Sequence, residues 1–406
     1  MTFENADLHS IIYTKAVLAF SVWSDMYIFL IPFLFDYVVG GVFFITGYNL
    51  AQAGMNAFIV ASPMTIWGIS YAVNSLIFGR IIHRGNAGFF LQLSGWATTG
   101  LSILFLVFPN VWLQLVWVLL LGVVSACYCI PFQIYSENSS PKHALPNRTA
   151  GFYTFSWSLG TAAGLLGFGC LSGQTGFLIN AVIGLLIAGL TWYHRRGPEP
   201  VSKTDVPEKS ASAPVVPDRI WAVWIFCGCA AFLMAVVSSL IPLHGVQLKI
   251  GQAASGIALA VMRLVQGFAA LALVYAGSWL FDRKVFLLAA AAGIPGMICM
   301  GGKNIYLLFA GSVLFGIFAG MFYFLMVFHA LSHPEKSGRC IGVNEMLLGL
   351  TGITGPTIGG LAANAVSISA VFCACAVLIA AAAGIAITFR WKNQSFNHNI
   401  QNSGGI

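Results

Sequence analysis

Long apolar runs separated by short polar breaks occupy nearly the whole chain. Read between the breaks, they predict helices over 15–39, 51–79, 87–109, 111–136, 149–172 and 174–194, then over 219–243, 253–280, 285–302, 304–330, 340–365 and 367–390. Each run is close to or above the roughly 20 residues that cross a hydrocarbon core of about 30 Å. Twelve runs in two groups of six predict an all-α integral membrane protein. Between the groups, residues 197–218 carry Pro198, Pro200, Pro207, Pro214 and Pro217 among Glu199, Lys203, Asp205, Glu208 and Lys209, with no apolar periodicity. Such a segment reads as a linker, because about 20 residues of this kind cannot bury a core. The expected organisation is a six-helix half over 1–196, a cytoplasmic linker over 197–218, a second half over 219–392 and a polar tail over 393–406.

Composition excludes the alternatives to a membrane protein. Of 406 residues, 58% are hydrophobic and 8% charged, against roughly 25% charged in a soluble domain. A soluble enzyme, a disordered chain and a small disulfide scaffold are all ruled out. The nine cysteines lie inside apolar runs. In the pairs Cys127/Cys129 and Cys227/Cys229, a two-residue spacing turns the thiols about 200° apart on a helix, so no metal site is expected. His-Glu-x-x-His, Gly-x-Ser-x-Gly, the phosphate-binding Gly-Lys-Ser/Thr loop and Cys-x-x-Cys do not occur. The protein is therefore expected not to be an enzyme and to need no cofactor, with any energy supplied by an ion gradient or by the solute's own gradient. The first run contains Asp25 and lacks a small-residue cleavage site, so it is expected to stay as a membrane helix.

Charge reports topology. The formal net charge is +7, but Lys and Arg stand at the ends of apolar runs and form no basic block, so no nucleic-acid partner is expected. Sorted onto twelve helices with both termini on one side, 16 of the 19 basic residues fall on the terminal side. Lys249 and Lys303 fall opposite and Arg263 falls inside a helix. The positive-inside rule then places both termini in the cytoplasm of a plasma membrane, of the bacterial inner-membrane kind. On that side the sequons at Asn138 and Asn147 would be unused.

The halves repeat one another. Gly79-Arg80-Ile81-Ile82-His83-Arg84 follows the second run, and Ser278-Trp279-Leu280-Phe281-Asp282-Arg283-Lys284 follows the eighth. Arg84 precedes Glu137 much as Arg283 precedes Glu335, and Gly160-Thr161-Ala162-Ala163-Gly164 answers Gly355-Pro356-Thr357-Ile358-Gly359-Gly360. Three landmarks in one order indicate duplicated halves. With these residues and this topology the chain resembles the major facilitator superfamily over essentially its whole length. The family's loop signature is Gly-x-x-x-Asp-Arg; here His83 replaces Asp in the first copy and Ser278 replaces Gly in the second. The resemblance implies two pseudo-symmetric six-helix halves, with helices 1, 4, 7 and 10 lining a central cavity, helices 2, 5, 8 and 11 shaping it, and helices 3, 6, 9 and 12 facing lipid.

The intramembrane charges agree with that arrangement. Asp25, Arg263 and Glu345 lie in the first, eighth and eleventh helices, and the interiors of the third, sixth, ninth and twelfth carry none. A charge at the bilayer centre costs about 2.5–3.5 kcal/mol even on the gentler scale, so these side chains should face the bundle interior. Arg263 is about ten residues into its helix, halfway across the membrane, with Gln252, Gly256, Gln266 and Gly267 at helical spacings that leave room for a ligand. A guanidinium suits an anionic or strongly polar solute; a structural ion pair with Asp25 is the competing reading. Asp25, with Ser21, Pro32 and Asp36 on nearly the same face, is the candidate for proton coupling, and Glu345 is a second candidate or a gating contact. Asn56, Trp67, Tyr128, Trp157 and Tyr323 are expected to join Arg263, Gln266 and Asp25 in binding. In the second helix Asn56, Pro63, Trp67, Ser70 and Asn74 form one polar and aromatic face. His244 and His329 fall near helix ends, where a solvated histidine is expected.

Arg84 with Glu137, and Asp282 and Arg283 with Glu335, are the expected gating groups on the cytoplasmic side. Gly151 and the Gly160–Gly164 segment look like the glycine-rich motif of exporters in the family, although Thr161 stands where Pro is usual, and close helix packing explains the same spacing. Taken together, the sequence predicts a secondary transporter that moves a small organic solute, with an anionic one suited to Arg263, by alternating access, coupled to protons, with export slightly favoured and the monomer as the working unit. An uncoupled facilitator and a non-transporting sensor or scaffold are the alternatives.

Overall fold

A computed structural model of the chain describes residues 29–83, 85–139, 145–195, 220–332 and 337–388. They form twelve helices: α1 (Phe29–Gln52), α2 (Ala57–Ile81), α3 (Ala87–Val107), α4 (Val111–Ser139), α5 (Pro146–Cys170) and α6 (Gly173–Arg195) come first. The second set is α7 (Ile220–Gln247), α8 (Gln252–Leu273), α9 (Lys284–Met300), α10 (Ile305–Leu331), α11 (Ser337–Ala365) and α12 (Ile368–Thr388). Ten are long and apolar enough to cross a bilayer. The exceptions are α5, diluted by Gly, Ser and Thr, and α9, which has 17 residues. The linker and the polar tail lie outside the described residues.

The polar breaks are helix caps. Asn56, Asn110 and Asn304 accept from backbone N–H groups in the first turns of α2, α4 and α10, and Ser172 and Ser367 do so for α6 and α12. A short polar side chain that satisfies an orphan N–H is what stops one membrane helix and starts the next. Between α1 and α2, Gly54 has φ +75°, and between α7 and α8, Lys249 has φ +57°. These two left-handed residues are 195 positions apart, as are the ends of α1 and α7, the starts of α2 and α8, and the pairs Gly160/Gly355 and Gly164/Gly359. The duplication seen in sequence is thus a duplication of structure, with one register.

Two boundaries differ from the apolar pattern. The first helix continues thirteen residues beyond 39, to Gln52. Gly40 and Gly41 read as punctuation, but they are the surface on which α5 lies: a Cβ at Gly40 would meet Thr161 Cγ2 at 2.7 Å, and one at Gly41 would meet the Phe168 ring. The run over 253–280 is α8 to Leu273, followed by a turn and a 3₁₀ segment, Gly277–Phe281.

Small residues set the helix packing. In α5, Gly160 and Gly164 lie against the α1 backbone at Phe33 and Tyr37, and in α11 Gly355 and Gly359 lie against α7 at Phe232, Ala235 and Val236. The helices α5 and α8, and α2 and α11, form two seams between the halves, while α3 packs with α6 and α9 with α12 at the outside. Close approach of backbones at Gly is a common route to helix association in lipid, where hydrophobicity drives no contact between helices.

Candidate functional site

A cavity of about 770 Å³ lies between the halves, within the size range of small-molecule sites. Its lining comes from α1, α2, α4, α5, α7, α8, α10 and α11, and among the described residues none comes from α3, α6, α9 or α12. The cavity reaches Leu145 and Arg148 at the start of α5, Leu331 at the end of α10 and Ile341 near the start of α11. It therefore opens toward the α4–α5 and α10–α11 connections. At the other end the seams are shut. Ala57 N donates to Asn364 Oδ1 at 2.8 Å, Gln252 Nε2 donates to the Phe168 carbonyl at 2.6 Å, and a Cβ at Gly256 would lie 2.8 Å from Gly169 Cα.

Arg263 is the cation at the centre. Its residue is 9% exposed, enough to keep part of the guanidinium on the cavity wall. Nη1 donates to Gln266 Oε1 at 3.0 Å and Nη2 to Ser238 Oγ at 3.1 Å, both neutral acceptors. Tyr323, whose hydroxyl lies beside the guanidinium, meets Trp157 edge to face at 4.7 Å. Asp36 from α1 lines the same cavity, half-buried, and attracts Arg263 electrostatically. Across the cavity, Tyr71 Oη donates to Glu345 Oε2 at 3.4 Å, joining α2 to α11. Tyr71 stacks on Trp67 at 5.1 Å and 6°, and Trp67 Nε1 donates to Ser125 Oγ at 2.9 Å. Tyr128 stacks on Phe35 at 3.8 Å. The lining thus combines ordered aromatic pairs with one guanidinium.

The structure brings together Arg263, Trp67, Tyr128, Trp157, Tyr323 and Glu345 around one space. It does not bring Asn56 there: that side chain is exposed at the closed end, capping α2. Nor does Gln266 line the cavity, since it is fully buried behind Arg263 and donates to Ser158 Oγ at 2.7 Å. The stripe of Gln252, Gly256, Gln266 and Gly267, read in sequence as room for a ligand, is filled by α5: Gly267 faces Phe155 and Ser158, and Gly256 faces Gly169. On α2 the cavity-facing residues are Met64, Trp67 and Tyr71; Ser70 turns to α4 and donates to the Leu119 carbonyl, and Asn74 donates back to Ser70 O.

His244 and His329 are buried, at 4% and 1% exposure, and not solvated. The first bonds the Gly302 carbonyl through Nε2 at 3.2 Å, and the second packs edge-on to Phe281 and Phe328. Asp25, Arg84 and Glu335 lie outside the described residues, as does the Glu137 side chain. Asp282 caps the start of α9 by accepting from Lys284 N, beside the exposed Arg283. Asp36 is secondary in the sequence because the apolar pattern ends the first helix at 39, where Asp36 would stand close to a helix end. With α1 ending at Gln52, Asp36 is 16 residues, about 24 Å, from that end at 1.5 Å per residue.

The sequence profile of the Major Facilitator Superfamily matches residues 26–283 and 261–405. The chain belongs to that superfamily. Among solved structures, it is similar to a bacterial homologue of the human lysosomal transporter Spinster in an inward-facing, unoccupied conformation, at 13% identity and TM-score 0.66, covering 91% of this chain and 96% of that one. The nucleoside transporter NupG matches at 12% identity and TM-score 0.66, over 91% and 100% of the two chains. The human organic anion transporter MFSD10 (TETRAN) matches at 11% identity and TM-score 0.63, over 88% and 99%. No curated protein matches the sequence. This superfamily member has the fold of a secondary transporter, built of two pseudo-symmetric six-helix halves around the cavity.

Proposed function

We propose that this protein moves a small organic solute bearing an anionic group across the membrane by alternating access. The observation that carries the reading is Arg263. It is a guanidinium at mid-membrane whose bonds, among the described residues, go to the neutral groups of Gln266, Ser238 and Tyr323, and with five N–H donors it keeps some for a ligand. A charge is kept in such a place only when it is used, because burying it is costly. The aromatic slabs at Trp67, Tyr71 and Tyr128 fit an apolar or ring portion of the same solute. Similarity to proteins named for organic anion and nucleoside transport is compatible with such a solute.

The one-sided opening supports alternating access, and the distribution of Lys and Arg supports a cytoplasmic open end with both termini on that side of a plasma membrane. Coupling to protons would use a carboxylate at the cavity, Asp36 or Glu345, or Asp25 before it. The glycine motif of α5 leans toward export, and the buried seams close one chain's cavity without a second copy, in keeping with a working monomer.

The test is a thermal-stability screen of purified protein against organic acids, sugars, nucleosides, amino acids and amines, in parallel on Arg263→Ala. A ligand at 100 times its Kd stabilises by about 2.7 kcal/mol. An acid that stabilises only the native protein, and is then carried into proteoliposomes, establishes the reading. Hits that ignore the substitution remove Arg263 from the site. For the compound found, Asp25→Asn, Asp36→Asn and Glu345→Gln are expected to separate coupling from binding: one of them should abolish the pH dependence of flux, and unchanged pH dependence in all three leaves an uncoupled facilitator.

A further inference from the structure

The guanidinium of Arg263 heads a chain of hydrogen bonds that crosses from one half of the protein to the other. Nη1 donates to Gln266 Oε1 at 3.0 Å, Gln266 Nε2 donates to Ser158 Oγ at 2.7 Å, and Ser158 Oγ donates to the Thr154 carbonyl at 2.6 Å. Every direction in this chain is forced. A guanidinium has no acceptor, so the Gln266 amide must turn its oxygen to Arg263 and its nitrogen to Ser158. Ser158 then accepts from Gln266 and its own proton has to go to α5. Gln266 and Ser158 are both fully buried, so neither can exchange these partners for water.

The crossing lies where the halves are packed most tightly. Gly267 of α8 faces Phe155 and Ser158 of α5, and on the far side of α8 a Cβ at Gly320 of α10 would touch the Gln266 carbonyl. Gln266 is wedged between two helices and positioned by the cation. Its counterpart by the 195-residue repeat is Tyr71, and that of Arg263 is Gly68, so no cation at that position heads the bonds of the other seam, where Tyr71 donates to Glu345 and Thr65 meets Thr357.

We propose that Gln266 and Ser158 are positioning residues that transmit the occupancy of Arg263 to the α5–α8 seam. An anionic group on the cavity side of Arg263 makes charge-assisted bonds about twice as strong as those to a neutral amide. It draws the guanidinium from Gln266, the amide loses the partner that fixes its orientation, and the polar clasp between the halves loosens at mid-membrane. Solute binding and helix separation are thereby linked through two side chains that do not touch the solute. The proposal rests on Arg263 as the anion-receiving group, but its test needs no transported compound.

Amide hydrogen exchange of the full-length protein in detergent reads the seam directly. With Arg263→Met and with Gln266→Met, exchange in the α5 segment around Thr154–Ser158 should rise about tenfold, as local opening becomes easier. The double variant should show no more than either single one, since both cut the same chain. Gln266→Glu should keep α5 protected, because a carboxylate accepts from Arg263 and from Ser158 together. Ser238→Ala, which removes a different partner of Arg263 within its own half, should leave α5 as it was. Arg263→Lys, which keeps the charge but loses the planar fork, replaces Arg263→Met if the latter does not fold. Unchanged α5 exchange in the Arg263 variant, additive effects in the double variant, or an equal rise in Ser238→Ala would each overturn the proposal. A failed flux assay with protected α5 lost as described would instead count against the transport reading alone.

Discussion

The two seams between the halves are related by one repeat, yet they close differently. At the shut end they are alike: Gly256 lies on Gly169 in α5–α8, and Gly360 lies on Ala57 and Phe58 in α2–α11. In the middle, α5–α8 is held by the buried chain through Gln266, whereas α2–α11 is held by Thr65 Oγ1 and Thr357 Oγ1 at 3.0 Å and by the long Tyr71–Glu345 bond. At the open end α5 and α8 are still joined, with Asn147 Nδ2 donating to the Val274 carbonyl at 2.7 Å and Gly151 against Val274. There α11 has open space at Gly342 and Gly349. A shared fold thus leaves one seam bonded along its length and the other open at one end, and side-chain chemistry makes the difference.

The largest effect is expected where the seams agree. A Cβ at Gly256 would be 2.8 Å from Gly169 Cα and one at Gly360 would be 2.8 Å from Phe58 Cα, and backbone cannot swing aside. Gly256→Val and Gly360→Val should each lower stability by about 3 kcal/mol, at the upper end of overpacking costs. Thermal unfolding in detergent checks this, and a cost confined to one of them would show that the shut ends are not equivalent.

In the middle the seams should separate. Gln266→Met leaves Arg263 and Ser158 each short of a buried partner and should cost about 1–3 kcal/mol. Tyr71→Phe removes one bond, 3.4 Å long, from a half-buried carboxylate that borders the cavity, and should cost about 0.6 kcal/mol, the average for a polar contact between membrane helices. Equal losses in the same unfolding experiment would erase the distinction between the two seams.

How far this was legible in the sequence follows from what a membrane helix hides. The helices were readable because apolar runs of bilayer length end at capping Asn and Ser residues, and the twofold repeat was readable from Gly160–Gly164 and Gly355–Gly360. Arg263 stood out as a lone charge deep in an apolar run. Which way the other residues point was not readable, since a polar or small residue in a membrane helix serves helix packing as readily as a cavity: of the polar face read on α2, only Trp67 lines the cavity, and Ser70 bonds α4. Gln252, Gly256 and Gly267 therefore read as room for a ligand although they are the surface of α8 that packs on α5, and Asn56 reads as a site residue although it caps α2. Asp36 stands behind Asp25 in the sequence because the apolar run breaks after residue 39, whereas the helix continues to Gln52. A glycine pair inside an apolar run is as easily a contact for another helix, and only the partner, here Thr161 and Phe168, distinguishes the two.

The smallest effect is expected at the open end, and it is the most pointed test of the comparison. Gly349 lines the cavity and Gly342 is exposed on α11, and a Cβ at either would meet nothing within 4 Å. Ala also has the better helix propensity, by about 0.8–1.0 kcal/mol in a free helix. Gly342→Ala and Gly349→Ala should therefore be neutral or slightly stabilising. Gly151→Ala, in the other seam at the same end, would press on Val274 Cγ2 and should destabilise, though by less than the shut-end substitutions because a valine side chain can yield where backbone cannot. If all three behaved alike in thermal unfolding, α5 and α8 would be as free at the open end as α2 and α11. The difference between the seams would then lie only in the buried chain at Gln266. If Gly151→Ala alone lowers stability, the α5–α8 seam is closed along its length and the α2–α11 seam is not.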